Sequence, residues 1–155
     1  MYSYHHKNTE KIANVFAKVF DAQIKTPQQI NPEELQKYSL IGFGSGIYDQ
    51  KHHNVLFDLA DKLPQVTNKK AFLFSTSGVA RKFAIDQSID DPHSPLREKL
   101  QSKGYMILDE FNCKGFNTNN FLKLFGGLNK GRPNVEDLKY AEEFAQNLKQ
   151  NLQNE

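Results

Sequence analysis

Residues 2–13 constrain the fold of this chain more than any other segment. They predict the end of a buried strand, a tight polar loop and the first turn of a helix. Such a junction directs backbone N–H groups and small hydroxyls to the positive end of a helix dipole, and it therefore suits a phosphate group. A strand that feeds such a loop has about five or six residues, whereas only Met1–Tyr4 are available here. We expect a phosphate site whose supporting strand is largely missing.

The composition indicates one cytoplasmic domain. A chain of 155 residues can build one substantial core, so we expect a single domain over residues 1–155. The net charge of +2 and the interspersed acidic and basic residues do not favour a nucleic-acid partner. The lone Cys113 excludes an internal disulfide and a cysteine metal cluster, which agrees with a reducing cytoplasm. The chain has neither a secretory leader pattern nor an apolar run of about 18 residues, so we expect no membrane insertion.

Amphipathic helices alternate with apolar strands along the chain. The alternation implies right-handed crossovers and a mainly parallel sheet with helices on both faces, which is a three-layer α/β fold. The apolar periodicity and the capping residues predict helices near 8–20, 55–63, 96–102 and 134–152, a brief helix from Pro32, strands at 40–45, 70–75 and 105–111, and a short strand over Ala22–Lys25.

Three polar loops follow strands in this pattern, at residues 3–9, 44–48 and 75–79. Open parallel sheets bind ligands outside the carboxyl ends of their strands. The first loop offers hydroxyls and N–H groups to a phosphate. The Gly, Ser and Thr residues of the other two let the backbone approach a flat ligand closely, and Tyr48 adds an aromatic surface for stacking.

These loops resemble the motifs of the flavodoxin-like FMN-binding family. The resemblance rests on Tyr2-Ser3 followed by Asn8-Thr9 and a helix, on Gly44-Ser45-Gly46-Ile47-Tyr48, and on Phe74-Ser75-Thr76-Ser77-Gly78. It covers nearly the whole chain and extends to Lys114-Gly115-Phe116 and to residues 126–131. It implies a three-layer α/β/α fold with a five-stranded parallel sheet in the order 2-1-3-4-5, the first strand being largely missing here. It also implies FMN as the cofactor.

The resemblance assigns the FMN contacts to the three loops. The phosphate would be held by Ser3, Asn8 and Thr9 together with the backbone of His5, His6 and Lys7. One side of the ring would be covered by Gly44, Ser45, Gly46, Ile47 and Tyr48, and its pyrimidine edge would be lined by Ser75, Thr76, Ser77, Gly78 and Val79. Residues 4–7 stand where the family usually has Thr and Gly, and positive charge on Lys7 or a histidine would compensate beside a dianion. No catalytic residue and no metal ligand is assigned.

The short N-terminal strand has a structural consequence. The strand is central in the implied topology, so its loss leaves backbone groups of its neighbours unpaired and a groove in the core. A start further upstream, a naturally shortened product and a second chain that fills the gap all remain open. If the gap persists, we expect weaker FMN binding because the phosphate loop loses its anchor.

Other chemically suggestive residues favour plainer interpretations. Adjacent histidines on a helix point in different directions, so His52-His53 is interpreted as a solvent-facing helix start and not as a metal pair. Cys113 is expected to be an inert small residue. No Ser-His-Asp arrangement can be assigned from the sequence, so a hydrolase has no support. The stretch with Lys130 and Arg132 is either a flexible connector or an attractor of an anionic partner or substrate.

Two classes of function remain. The first is an FMN-binding protein of electron transfer, either a redox carrier with a partner protein or a small flavin-dependent oxidoreductase acting on a quinone-like acceptor. A carrier that docks on basic reductases is expected to be acidic, so the pI near 8.5 keeps the reductase in contention. The alternative is a non-catalytic interaction or regulatory module that has lost its flavin. The sequence does not indicate an oligomeric state.

Overall fold

A computed structural model describes residues 1–3, 6–86, 90–118 and 126–154. The predicted main helices and strands are confirmed, most of the strands extend further towards their carboxyl ends than predicted, and one short helix is added. The elements in chain order are α1 (Asn8–Phe20), two 3-10 helices (Pro27–Gln29 and Pro32–Lys37), β1 (Ile41–Tyr48), β2 (Lys51–His52), α2 (Asn54–Lys62), β3 (Lys69–Ser77), α3 (Arg81–Asp86), α4 (Ser94–Ser102), β4 (Tyr105–Lys114) and α5 (Val135–Gln153).

The strands form a four-stranded sheet in the order β2-β1-β3-β4. β1, β3 and β4 are parallel, whereas β2 returns antiparallel to the end of β1. The register between β3 and β4 shifts by one residue, because Ala71 pairs with Ile107 and Phe72 pairs with Asp109. Since strand side chains alternate between faces, this bulge places Glu110 on the same face as Leu73.

The N-terminal strand is reduced to one bridge. Tyr2 pairs parallel with Ser45, and its N–H donates to the carbonyl of Gly44 at 2.7 Å. The Met1 ammonium group donates to the carbonyl of Lys25 at 2.7 Å. The predicted strand over Ala22–Lys25 is wrong, because this segment is in no strand. The bond from Met1 to Lys25 is a single hydrogen bond and does not form a ladder. The five-stranded sheet is therefore confirmed only in part. The N-terminal segment, β1, β3 and β4 lie side by side in that order, as strands 1, 3, 4 and 5 of the predicted sheet do.

A groove lies where a longer N-terminal strand would run, as predicted. Its volume is about 460 Å³. Gly42 and Ile41 of β1 line one side, Ile24 and Lys25 line another, and Phe16 and Phe72 lie at its base. The groove is thus a largely apolar slot beside the edge of β1.

Apolar side chains cover both faces of the sheet. One cluster packs α2 and α4 against β1 and β3, and the other packs α1 and α5 against β3 and β4. Phe16 of α1 contacts Phe72, Phe74 and Phe111 edge-on, with ring centroids 5.1–5.4 Å apart. A Cβ at Gly44 would collide with the Phe74 ring, so β1 needs glycine there. The predicted three-layer fold is confirmed.

None of the helices within the described ranges combines the length and the apolar character that crossing a bilayer requires.

Candidate functional site

A cleft opens where β1, β3 and β4 end beside the start of α1. It brings together residues of all three predicted loops and adds the segment after β4, which the sequence did not place at the site. The cleft is lined by His6, Asn8, Thr9, Gly46, Ile47, Tyr48, Thr76, Ser77, Gly78, Gly115, Phe116, Asn117 and Thr118. Its volume is about 50 Å³, and it opens to solvent.

The start of α1 provides the polar end of this cleft. Lys7 adopts a left-handed conformation with φ 54° and starts the helix without a side-chain cap. The first N–H groups of α1 are therefore not bonded by a capping side chain, as an anion site requires. The Ser3 hydroxyl and the Asn8 Oδ1 atom are buried and have no hydrogen-bond partner among the described residues. Tyr4 and His5 lie outside the described residues, so the predicted contact of His5 does too.

Side chains of the first loop join α1 to the neighbouring strand ends. The Thr9 and Thr76 hydroxyls lie 2.9 Å apart in the interior, and Asn8 Nδ2 donates to the carbonyl of Phe116 at 2.8 Å. His6 Nε2 lies 2.8 Å from the Thr118 hydroxyl. Hydrogen bonds at the bottom of the cleft therefore connect the start of α1, the end of β3 and the segment after β4. The Lys7 ammonium group, at the surface, lies 3.7 Å from Glu10.

The loop after β1 contributes an aromatic wall. Tyr48 lines the cleft, and its ring meets the ring of His53 edge-on at 5.3 Å. A Cβ at Gly46 would lie 2.8 Å from the Tyr48 ring, so this approach requires glycine. Gly44 lies deeper and accepts the bond from Tyr2 described above.

The loop after β3 forms the facing wall. Thr76, Ser77 and Gly78 line the cleft. The Ser77 hydroxyl donates to the carbonyl of Val79 at 2.5 Å and so folds the loop back on itself, while the Val79 side chain is half exposed.

Two predicted ring contacts, Ser45 and Ser75, lie behind the cleft in the interior. The Ser45 hydroxyl lies 2.9 Å from His52 Nδ1, and the Ser75 hydroxyl lies 2.6 Å from His93 Nε2. Both serines and both histidines are fully buried.

The predicted solvent-facing position of His52 is wrong. β1 continues to Tyr48 and turns through Asp49 and Gln50, which have φ 48° and 61°, into β2. His52 therefore belongs to a strand and points inward, while His53 caps α2 by accepting from the Val55 N–H. The hairpin was missed because a two-residue strand has no detectable periodicity.

An ionic cluster lies beside His93. Arg81 and Arg97 pair with Asp91 and Glu110, with Arg81 Nε 2.6 Å from Asp91 and Arg97 Nη2 2.9 Å from Glu110. Burial alone would raise the pKa of Glu110, but hydrogen bonds from His93 and Arg97 and the charge of Arg81 lower it to about 2. Burial likewise opposes ionisation of Asp91, but hydrogen bonds from Arg81 and Arg97 lower its pKa below the usual range, so both acids are ionised at neutral pH.

Ser75, His93 and Glu110 are connected in the order of a serine hydrolase relay, because His93 Nδ1 lies 3.2 Å from Glu110. The sequence could not reveal this set, since its members come from β3, the turn before α4, and β4. Ser75 and His93 have 0% exposure, so a substrate cannot reach the hydroxyl. The relay is structural.

Cys113 is an inert thiol, as predicted. It is buried, and burial raises its pKa to about 12, so the reactive thiolate does not form at neutral pH. Arg132 pairs with Asp137 at 2.7 Å, and Asn134 and Asp137 form the capping box of α5. Lys130 is exposed. Among the residues that the structure describes, no group of three or more His, Cys, Asp or Glu side chains is arranged to hold a metal.

Comparison with known families identifies the domain. A family model described as a flavodoxin domain matches residues 1–127. This chain belongs to the flavodoxin domain family. A relative in Methanocaldococcus jannaschii, the uncharacterized protein MJ0298, is 50% identical over 149 residues, which are 96% of this chain and 95% of the relative.

Solved flavodoxins share the fold of this flavodoxin domain protein at low sequence identity. A flavodoxin from the domain Archaea has a TM-score of 0.64 at 15% identity, with 97% of this chain and 94% of that chain covered. Flavodoxin 2 from Bacillus cereus has a TM-score of 0.61 at 19% identity, with 92% and 90% covered. The flavodoxin of Streptococcus pneumoniae TIGR4 has a TM-score of 0.64 at 15% identity, with 96% and 94% covered.

Proposed function

We propose that the cleft binds FMN and that the protein takes part in electron transfer in the cytoplasm. The observation that carries the proposal is the meeting of the uncapped α1 N-terminus with Tyr48 and the Ser77-Gly78 backbone in one cleft at the strand ends. An anionic tail and a flat aromatic head need these two kinds of surface at opposite ends of one site.

The polar end of the cleft suits the phosphate and the chain attached to it. The Ser3 hydroxyl would donate to a phosphate oxygen, and the α1 N–H groups would add the favourable end of the helix dipole. Asn8 Oδ1 is an acceptor that finds no donor within the described part of the chain, and a ligand hydroxyl would satisfy it. Asn8 lines the cleft and Ser3 lies outside its lining, so the orphaned oxygen of Asn8 is the observation that supports the fit to FMN. His6 and Thr9 line this end, and Lys7 precedes the first residue of α1 beside them. The contact from His5 stays a prediction.

The other end of the cleft suits a flat ring. Gly46, Ile47 and Tyr48 would cover one side of the ring, and Thr76, Ser77 and Gly78 would contact its polar edge. Val79, which follows them outside the cleft lining, would extend this edge. When bound, FMN supplies the redox chemistry. The contribution of this chain is to bind the phosphate, orient the ring in the open mouth and restrict water beneath it. Gly44, Ser45 and Ser75 support these walls from behind.

Two observations favour second candidates. The pI of about 8.5 favours a small reductase of quinone-like acceptors over a carrier that docks on basic partners. The small volume of the cleft, about 50 Å³, favours a module that has lost its flavin.

Reconstitution and a turnover assay separate these candidates. The purified protein is incubated with FMN, desalted and examined for flavin absorbance; retained colour is expected, and a colourless protein would favour the flavin-free module. The holoprotein is then mixed with NADPH or NADH and a quinone. Oxidation of the nucleotide without a second protein would identify a reductase, and oxidation only after a reductase is added would identify a carrier.

A further inference from the structure

The two walls of the cleft are connected through buried histidines. On the β1 side, Ser45 accepts from the His53 N–H at 3.0 Å and donates to the carbonyl of Gly46 at 2.8 Å. On the β3 side, Asn112 Nδ2 donates to the hydroxyls of Ser75 at 2.9 Å and Ser77 at 3.0 Å. Gly46 and Ser77 both line the cleft. Each wall thus ends in a serine that contacts a histidine.

The rings of His52 and His93 complete the connection. Their centroids are 4.7 Å apart and both side chains are fully buried. Ser45 and Ser75 already face each other in the backbone ladder of β1 and β3. Behind that ladder, a second connection runs from Ser45 through the buried side chains of His52 and His93 to Ser75.

The hydrogen bonds assign a neutral tautomer to His52. The single hydroxyl hydrogen of Ser45 is donated to Gly46, so Ser45 accepts from His52 Nδ1–H. The Nε2 atom of His52 is then a bare acceptor, and it has no partner among the described residues. A proton placed on Nε2 would be a buried charged donor without an acceptor, which is costly.

His93 is assigned a neutral tautomer in the same way. Its Nδ1–H donates to the Glu110 carboxylate, and its Nε2 accepts the Ser75 hydroxyl hydrogen. Because Asn112 already donates to Ser75, this arrangement uses each hydrogen once. A proton on His93 Nε2 would donate to the Ser75 oxygen. The Ser75 hydroxyl hydrogen would then lose Nε2 as its acceptor.

The charged groups around the two histidines are already paired, so they do not stabilise an added positive charge on His52. The groups that face the two imidazoles are Glu110 on β4, Arg81 on α3, Asp91 before α4 and Arg97 on α4. The two acids and the two arginines already pair with each other. An imidazolium at His52 would thus lie beside His93 and a balanced cluster, with no unpaired acid facing it.

We propose that His52 and His93 are positioning residues that, as a neutral pair, hold the cleft walls in place where the ladder of β1 and β3 ends, at Gly46 and Thr76, and that protonation of the pair loosens the walls there. The part concerning ligand release rests on the proposed function. The expected consequence is that this flavodoxin domain retains flavin at neutral pH and loses it in mild acid.

The direction of the pH effect follows from the environment. Burial is the main cause that lowers the pKa of His52 well below 6.5, with a further contribution from His93. Burial also lowers the pKa of His93, although the hydrogen bond to Glu110 opposes it. In the unfolded chain both titrate near 6.5. The unfolded state therefore binds more protons below that pH. The contribution of the neutral pair to the free energy of unfolding is fully present above pH 6.5 and falls as the pH decreases.

The first test uses the protein without flavin. Urea unfolding is followed between pH 8 and 5 for the wild type, H52N and H52F. Asn at position 52 carries a donor where Nδ1 stands and cannot titrate, whereas Phe keeps the ring shape without a donor. We expect both position-52 variants to take up about one proton fewer than the wild type on acid unfolding. Equal slopes in all three proteins would overturn the proposal.

The second test asks whether the pair positions the walls, again without flavin. Amide NMR signals of Gly46 and Ser77 are followed during acidification of the folded protein. We expect both signals to shift together in the wild type and to shift less in H52N. Signals that move independently, or that move alike in the two proteins, would contradict a connection through the histidines.

The third test adds FMN and compares variants at each pH, so that titration of the FMN phosphate cancels. At pH 8 we expect the Kd of H52N to be within about threefold of the wild type and that of H52F to be about five- to tenfold weaker, the effect of one hydrogen bond. At pH 5.5 the wild type should lose affinity relative to H52N. A constant ratio would overturn the release step. Absence of FMN binding by the wild type at every pH would instead reject the proposed function, and the two flavin-free tests would still decide the role of the pair.

Discussion

The hydroxyl of Thr9 lies 2.9 Å from the hydroxyl of Thr76, and both side chains are buried. Thr9 is in the first turn of α1, and Thr76 is near the end of β3. This bond fixes the start of the helix against the sheet at the polar end of the cleft. Of the described residues before α1, Tyr2 is the one that pairs with the sheet.

Thr9→Val is expected to lower the free energy of unfolding by about 1–2 kcal/mol, since it leaves the Thr76 hydroxyl buried without its partner. Chemical denaturation measures the change. Thr9→Ser keeps the hydroxyl and is the matched control, with a smaller loss expected from the missing methyl group. Similar losses in both variants would show that packing, and not the hydrogen bond, holds the helix start.

Ser3→Ala is expected to separate stability from binding. The Ser3 hydroxyl is buried without a partner among the described residues, so its removal should leave the unfolding free energy unchanged or slightly higher. FMN binding should weaken by about tenfold, because a charge-assisted bond to the phosphate is lost. Riboflavin, which lacks the phosphate, is the control ligand, and its affinity should not change. Equal losses for both flavins would place Ser3 away from the phosphate.

Glu110→Gln is expected to cost about 3 kcal/mol, because Arg97 and Arg81 lose a partly buried acid partner. The pKa of Glu110 is lowered to about 2, so its stabilisation is complete above its ordinary pKa of 4.5 and is lost as the pH falls from there towards 2. The variant should therefore have a shallower decrease of stability with acid in that range. Urea unfolding at pH 7, 4 and 3 tests both effects, and an unchanged acid slope would contradict them.

An N-terminal extension of about five β-branched residues is expected to occupy the groove beside β1. It would bury apolar side chains and replace the Met1 ammonium group, whose pKa burial lowers to about 6, by an uncharged amide. We expect an increase in unfolding free energy of about 2 kcal/mol or more and tighter FMN binding through a better anchored loop. A Gly-Ser extension of the same length is the control. Equal behaviour of the two extensions would show that the groove does not accept a strand.

Long periodic elements could be predicted from the sequence because local signals and tertiary packing agree there. The apolar spacing of Ile12 and Phe16 predicts α1, and Asn134 with Asp137 marks the start of α5. Elements that depend on a partner could not be predicted this way. Residues 22–25 are extended in sequence pattern, yet they are in no strand because the ladder that would recruit them is absent.

The cleft was predicted more completely than the layer behind it. The three loops could be placed together because parallel strands share one carboxyl edge. The histidine pair could not, because His52 and His93 are distant in sequence and their burial depends on the Asp49-Gln50 turn and on the ionic cluster around Glu110. From the sequence alone, a serine beside a glycine-rich loop predicts a contact with a ligand. The fold shows instead that Ser45 and Ser75 point inward and contact buried histidines.

Isothermal titration of the purified, flavin-free protein with FMN tests the central claim most directly, with riboflavin as the parallel ligand. We predict one FMN per chain, and binding of riboflavin that is weaker by at least about tenfold because the phosphate end of the cleft is unused. No heat of binding with FMN, or equal affinity for the two flavins, would contradict a cleft that holds an anionic tail at α1 and a flat ring beside Tyr48.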